Sequence, residues 1–411
     1  MFIGISLFNL FNLLYHLFMV RYLSPIDYGH LNALLALFMV ISVPANTVQT
    51  TVTRFVSSLQ VEGEYDHMKG ILRHFLIVMS IIAFLFFFII LVTSHLISSF
   101  LQISSNMLVI IFGISLMFAM MNPVPWGGLQ GLQRFGSLTL NLIINGGLKL
   151  TLGIIFIFWG FRLFGAMGAI AIAYFITFII SLFMLMSYLP KIGLLTHQEQ
   201  NILGGNQSYF SEIYYYFFPV GITLLCFMLL TNIDLILVKH FFSPIEAGYY
   251  SIAQMAGKII LFLPFPIVMV MFPKLASLKA KKQKEKALAI LGQSLTMATL
   301  LCGAAAALCF LFPSFIIRVL SGGVYSESIP LVGVFSLNMA FFSISFILLY
   351  YQLSTEERNF LYPLCFLTLI QTGLILLFHK TLIQVLLITG IVAFCLLGVN
   401  LFLISMYHRK H

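Results

Sequence analysis

Asn141, Asn145 and Lys149 stand four residues apart inside one apolar run. At helical pitch that spacing sets all three on one face. A charge at bilayer depth costs roughly 2.5–3.5 kcal/mol on insertion scales, so such a stripe must meet protein or water rather than lipid. Gln254 and Lys258 repeat the spacing. Asn9, Asn12 and His16 share a face, as do Asn46, Gln49, Thr50 and Thr53, which end beside Arg54. Asn232 and Asp234 lie close together in another run. The cations suit a phosphate or pyrophosphate, and the amides and hydroxyls suit sugar hydroxyls. Lys149, Lys258, Asn145, Asn141, Gln254, Arg54, Gln49 and Asn12 are therefore the expected cavity residues. Asp234 and His16 are the expected groups for a coupling ion, since imidazole changes charge near neutral pH. A plainer reading runs beside this one. Membrane Asn and Gln often only tie helices together, at about 0.6 kcal/mol each, and Lys258 has Asp234 as a structural partner.

The elements that carry these residues follow from composition. Hydrophobic residues make up 61% of the 411 and charged residues 8%, against roughly 25% charged in soluble chains. Lipid is then the solvent along most of the chain, and helices satisfy the backbone there. Twelve apolar segments are expected, at about 1–20, 31–53, 71–93, 106–122, 137–159, 164–188, 213–237, 251–272, 288–312, 328–350, 361–378 and 382–406. Met1 to Val20 lacks a charged start and an Ala-x-Ala cleavage site, and reads as a retained helix. The five cysteines fall in apolar runs without metal spacing. No phosphate-cradling glycine loop occurs, and no cofactor or metal is expected.

The net charge of +9 reports orientation rather than nucleic-acid binding. With the N-terminus in the cytoplasm, fourteen of the 21 Lys and Arg fall on the cytoplasmic side and five outside, as the positive-inside rule requires. Both termini are then cytoplasmic. The densest cluster, Lys279 to Lys286, follows the eighth segment and reads as a topology anchor or a contact for anionic headgroups.

The chain also repeats itself. Ser24-Pro-Ile-Asp-Tyr-Gly29 follows the first segment and Ser243-Pro-Ile-Glu-Ala-Gly248 the seventh, 219 positions on. A proline interrupts the next segment in each half, Pro44 and Pro264, and a cation closes it, Arg54 and Lys274. Asp27 and Glu246 are placed to cap a helix N-terminus. Six segments separate the copies, so both halves enter the membrane in the same direction, a parallel repeat. The expected architecture is all-α: two six-helix bundles, 1–190 and 213–411, around a central cleft, joined by a polar cytoplasmic linker at 191–212.

Further motifs carry a family resemblance. They are Arg21 to Gly29, Gly131-Leu-Gln-Arg-Phe135, Asp234 to Gly248 with Tyr250-Ser-Ile-Ala253, Phe272-Pro-Lys-Leu275 and Ser321-Gly-Gly-Val-Tyr325. In this order the chain resembles the polysaccharide and oligosaccharide flippases of the Wzx type. These belong to the superfamily that also holds multidrug extruders and the lipid II flippase. The resemblance implies a transporter in the cytoplasmic membrane that turns a polyprenyl-pyrophosphate-linked oligosaccharide from the inner to the outer leaflet, coupled to H+ or Na+. It implies membrane lipids and a polysaccharide polymerase or glycosyltransferases as partners. No dense set of arginines like that of a lipid II flippase is present, which disfavours a peptidoglycan precursor. A drug extruder of the same superfamily is the alternative, and its cationic cargo would meet Lys149 and Lys258. A membrane enzyme on lipid-linked sugars needs a positioned acid or base and a larger outer loop than any here.

Overall fold

The structure is a computed structural model and describes residues 2–189, 207–280, 283–323, 325–355 and 358–410. Its regular elements are helices. In chain order they are α1 (Phe2–Tyr22), α2 (Pro25–Ile41), α3 (Val43–Glu62), α4 (Tyr65–Val92), α5 (Ser94–Phe100), α6 (Asn106–Met121), α7 (Pro123–Gly131), α8 (Phe135–Phe158) and α9 (Arg162–Tyr188). The second half holds α10 (Gln207–Leu230), α11 (Ile233–Phe241), α12 (Pro244–Phe262), α13 (Phe265–Ala280), α14 (Lys284–Leu311), α15 (Pro313–Ser321), α16 (Ile329–Ser354), α17 (Leu361–Leu377) and α18 (Leu382–Lys410).

Eight stretches are long and apolar enough to span a membrane alone, and the pairs α2–α3 and α10–α11 form two broken spans. With α1 and the shorter apolar α17 this is the expected twelve-helix fold. The breaks have local causes. Ser42, Val43 and Pro44 end α2 and open α3, where proline lacks an N–H to continue the ladder. Between α10 and α11 the chain bends by 41°. There Thr231 Oγ1 donates to the Phe227 carbonyl and Asn232 Nδ2 to that of Met228. Gln371 Nε2 donates to the Leu230 carbonyl. Side chains thus satisfy the carbonyls a broken helix leaves open.

Several boundaries differ from the sequence expectation; the third span begins at Tyr65 rather than 71, the eighth at Pro244 rather than 251, and the second ends at Glu62 rather than 53. The second span begins at Pro25 rather than 31, because Ser24 caps it. The fourth runs on past Asn122 through Pro123 to Gly131. The seventh opens at Gln207, so residues 207–212 of the expected linker are helix, and 191–206 lie outside the described residues. Of the basic cluster, Lys281 and Lys282 also lie outside them.

The repeat extends well beyond the motif that announced it. α2 and α12 begin 219 positions apart, at Pro25 and Pro244. α4 and α14 both begin and end 219 apart. The short α5 and α15, which the sequence reading missed, start 219 apart as well. Glu246 and Ser243 form a reciprocal capping box; in the first copy Ser24 is the cap, its Oγ accepting from the Asp27 amide at 3.1 Å and donating to the Asp27 carboxylate at 2.9 Å.

Two compact units divide the chain. One comprises residues 1–22 and 41–221, the other 23–40 and 222–411. The division differs from the expected 1–190 and 213–411 bundles in one segment above all: α2 packs with the second unit, although by sequence it belongs to the first repeat.

Candidate polar sites within the two units

In the first unit the polar stripe of α8 is buried: Asn141, Asn145 and Lys149. Its members have different tasks. Asn141 Oδ1 accepts from Trp126 Nε1 at 2.7 Å, and its Nδ2 donates to the Thr177 carbonyl at 3.0 Å. Asn145 Nδ2 donates to Thr177 Oγ1 at 3.0 Å. These two amides tie α8 to α7 and α9, as the plainer reading holds. Lys149 instead reaches α1. Its Nζ donates to Asn12 Oδ1 at 2.9 Å and lies 4.3 Å from the centre of the Tyr15 ring. The ring's negative face holds the cation. Tyr15 is fixed in turn, its hydroxyl donating to the Ala166 carbonyl. Gly153, one turn beyond Lys149, lets the ring approach: a Cβ there would fall 2.9 Å from Tyr15 Cε2. No acid acts on this ammonium among the described residues. His16 is half-buried, edge-on to Tyr15.

The second half of the broken second span, α3, has two polar sides. Gln49 and Thr53 turn inward: both reach Gln130 Oε1 at 3.4 Å, and Thr53 also donates to the Gly127 carbonyl. Asn46, Thr50, Arg54 and Ser58 form the exposed side at four-residue spacing. Polar groups do not face hydrocarbon at this density, so this side of α3 meets water or a polar ligand. The residues of α13 matched by the Pro44–Pro264 and Arg54–Lys274 pairs, 220 positions on, are Pro266, Val270, Lys274 and Leu278. The second copy keeps the cation and replaces the other three positions by apolar residues.

In the second unit Tyr250, Gln254 and Lys258 line one face of α12. The Tyr250 hydroxyl donates to Asp234 Oδ2 at 2.8 Å. Lys258 Nζ donates to Asn232 Oδ1 at 3.0 Å, so the lysine's hydrogen bond goes to the amide and not to the carboxylate. The charges of Asp234 and Lys258 nonetheless act on each other. Gln254 lies on α12 between the two bonded ends. Asp234 Oδ1, Gln254 Nε2 and Gln371 Oε1 are buried without a hydrogen-bond partner. Buried polar atoms left open in this way are uncommon. Lys239 is also buried with its Nζ open. It stands in the last turn of α11, where the helix dipole favours a cation. No group of three or more His, Cys, Asp or Glu suited to a metal occurs among the described residues.

Sequence reasoning missed Tyr15 and Tyr250 as partners of the charged groups. Both are aromatic residues in aromatic-rich helices and carry no signal of their own. Tyr15 stands three positions after Asn12, on the same helical face, and Tyr250 eight before Lys258; each offset was readable once the lysines were singled out.

Solved structures of similar fold are transporters. One is an inward-facing multidrug resistance MATE family transporter of the MOP superfamily, at 15% identity and a TM-score of 0.80, covering 97% of this chain and 94% of that one. Another is the lipid II flippase MurJ in an inward closed conformation, at 14% identity and 0.70, covering 97% and 87%. A third is a MOP superfamily transporter from Pyrococcus furiosus, at 16% identity and 0.66, covering 98% and 93%. At these identities the likeness establishes the fold. No curated protein matches the chain in sequence. A family model, described as polysaccharide biosynthesis protein, matches residues 1–279. That match covers more than half of the chain, and the chain belongs to the family of polysaccharide biosynthesis proteins.

Proposed function

We propose that this protein turns a polyprenyl-pyrophosphate-linked oligosaccharide from the inner to the outer leaflet of the cytoplasmic membrane, by alternating access and with both termini cytoplasmic. The observation that carries this reading is Lys149, a buried ammonium held by an amide and an aromatic face with no acid acting on it. An isolated cation at that depth is costly, and a pyrophosphate reaching it would supply the missing charge. Family membership supports a cargo built for polysaccharide. The exposed track of Asn46, Thr50, Arg54 and Ser58 supplies hydrogen-bonding groups of the kind sugar hydroxyls use. Asn12 then positions the ammonium, while Asn141, Asn145 and Gln49 hold helices together.

Asp234 is the proposed coupling group, taking H+ or Na+, with Gln254 and Lys258 beside it and His16 as a secondary candidate in the first unit. Lipids and the enzymes that build or polymerise the glycan are the proposed partners. The chain is read as a transporter and not an enzyme, in keeping with its family and fold. One observation favours a second reading, extrusion of cationic drugs: the buried carboxylate of Asp234, which is open at Oδ1.

The test is made on cells lacking the protein, with and without its return on a plasmid. Polyprenyl-linked saccharides are extracted and weighed by mass spectrometry. Accumulation of one complete repeat unit, cleared by the returned gene, is expected. Unchanged lipid-linked sugars together with a new drug sensitivity would favour the extruder.

A further inference from the structure

Two of the five cysteines meet across helices. Cys226 stands on α10 and Cys365 on α17, 139 positions apart, and their Sγ atoms lie 3.6 Å from each other. Both belong to the second unit. No step of the proposed transport uses either thiol. Their settings differ: Cys226 is buried and Cys365 half-exposed. On α17, Cys365 shares a helical face with Tyr362 and Leu369, three before and four after it, which are 79% and 72% exposed. An exposed apolar face on a membrane span meets hydrocarbon. Cys365 is thus open to a reagent dissolved in lipid, and Cys226 lies behind it.

The contact lies beside the break between α10 and α11. Cys226 precedes Leu230 by one turn, and the Leu230 carbonyl accepts from Gln371 Nε2 at 2.9 Å. Gln371 also stands on α17. The two helices are therefore tied once at the break by a hydrogen bond, and the thiols offer a second tie that can become covalent. A disulfide of about 2.05 Å requires the sulfurs to close by about 1.5 Å. Packing alone accounts for buried cysteines such as Cys302 and Cys309. It does not require two sulfurs to touch.

We infer that Cys226 and Cys365 form a redox pair: a hydroperoxide dissolved in the bilayer oxidises them to a disulfide, which staples α10 to α17 at the break and arrests the carrier. The Cys365 sulfur takes the outer oxygen of the hydroperoxide, whose O–O bond breaks, and the remainder leaves as the alcohol. The Cys226 sulfur then attacks the sulfenic acid so formed, the S–S bond forms and water leaves. The two thiols give up two electrons, which reduce the peroxide bond, and two protons, which end on the alcohol and the water. A thiol reductant reverses the bond. The arrest rests on the proposed role of Asp234, which follows the break; the formation of the bond does not.

Membranes holding the full chain are treated with cumene hydroperoxide, unfolded in N-ethylmaleimide to cap the remaining thiols, and digested without reductant for mass spectrometry. The expected product is a joined peptide pair carrying Cys226 and Cys365, two hydrogens lighter than its parts and separated by dithiothreitol, with Cys302 and Cys309 capped as thiols. The oxidised protein should melt about 5 °C or more above the reduced one, and a Cys365→Ser protein should show no such shift. In proteoliposomes oxidation should slow transfer of the lipid-linked saccharide about tenfold or more. Dithiothreitol should restore the rate, and the Cys365→Ser protein should keep its own through oxidation. Cys365 found as a thiol or as a sulfinic or sulfonic acid, with no joined peptide, would overturn the inference, and that result needs neither a variant nor a cargo. A joined peptide with unaltered melting or unaltered transfer would overturn it as well. No transfer by the reduced protein counts against the proposed cargo instead, and the joined peptide and the melting shift then decide alone.

Discussion

Each unit holds one lysine that bonds an asparagine of that unit's leading span, Lys149 buried and Lys258 half-buried, and the two differ in what surrounds them. Lys149 rises from the fifth span and rests on Asn12 and the Tyr15 ring with no acid acting on it. Lys258 rises from the eighth, bonds Asn232, and shares its surroundings with the carboxylate of Asp234. The positions are not related by the 219-residue repeat: Lys149 corresponds to Thr368 and Lys258 to Met39. Around Lys149 the first unit brings no carboxylate among the described residues, and near Lys258 the second brings that of Asp234. A lone cation suits an anionic cargo group; a carboxylate near a cation, with open polar atoms, suits a small ion that comes and goes. α3 and α13 diverge in the same sense, polar in the first copy and mostly apolar in the second.

The largest expected effect lies in the second unit. Lys258→Ala leaves Asp234 buried without a neighbouring cation and Asn232 Oδ1 without its donor, a loss of about 3 kcal/mol, the upper end for an unsatisfied buried group. Protein yield and melting temperature should both fall. Adding Asp234→Asn should restore most of the stability, and a double-mutant cycle measures the coupling. Additive effects would mean that the two charges do not depend on each other, and the contrast between the units would collapse.

Lys149→Ala should act on transport instead. Removing a hydrogen-bonding charge from the cargo is worth about 1.5–3 kcal/mol, or about ten- to a hundredfold in flux. Protein level should stay normal, since no acid is orphaned. Lys149→Arg should recover part of the flux. A variant that is unstable but fully active would make Lys149 a structural residue and erase its difference from Lys258.

Tyr15→Leu removes the ring beneath Lys149 and the bond to Ala166. The ring's share is about 0.5–2 kcal/mol, readable as a lower melting temperature. Tyr15→Phe keeps the ring and should recover the part that belongs to the cation. The smallest effect is expected for Asn141→Ala, at about 0.6 kcal/mol and no more than about 1.7, seen as a small thermal shift with unchanged flux. A strong loss of flux there would return Asn141 to the cargo path.

Most of the fold was legible in the sequence because hydrocarbon permits few solutions. Composition forced helices, and the Ser24 and Ser243 motifs announced a repeat whose offset then holds at the ends of α4 and α14. The short α5 and α15 escaped because they are apolar enough to merge with their neighbours' ends. The break between α10 and α11 escaped because no proline marks it; Thr231, Asn232 and Gln371 satisfy its carbonyls from three separate positions. At the site, the stripe of Asn141, Asn145 and Lys149 was visible as spacing. Its division of labour was not, since Trp126, Thr177 and Tyr15 reach it from other helices. Partners across helices leave no periodic trace in one chain.

The central claim is that the first unit's lone cation receives the anionic end of a lipid-linked saccharide. Its most direct test is flipping of a polyprenyl-pyrophosphate-linked oligosaccharide in proteoliposomes holding the purified protein or its Lys149→Ala variant. The account predicts transfer by the unaltered protein and a rate about tenfold or more lower for the variant at equal incorporation, the loss expected when one charged hydrogen bond is removed. Equal rates for the two proteins, or no transfer by either, would contradict it.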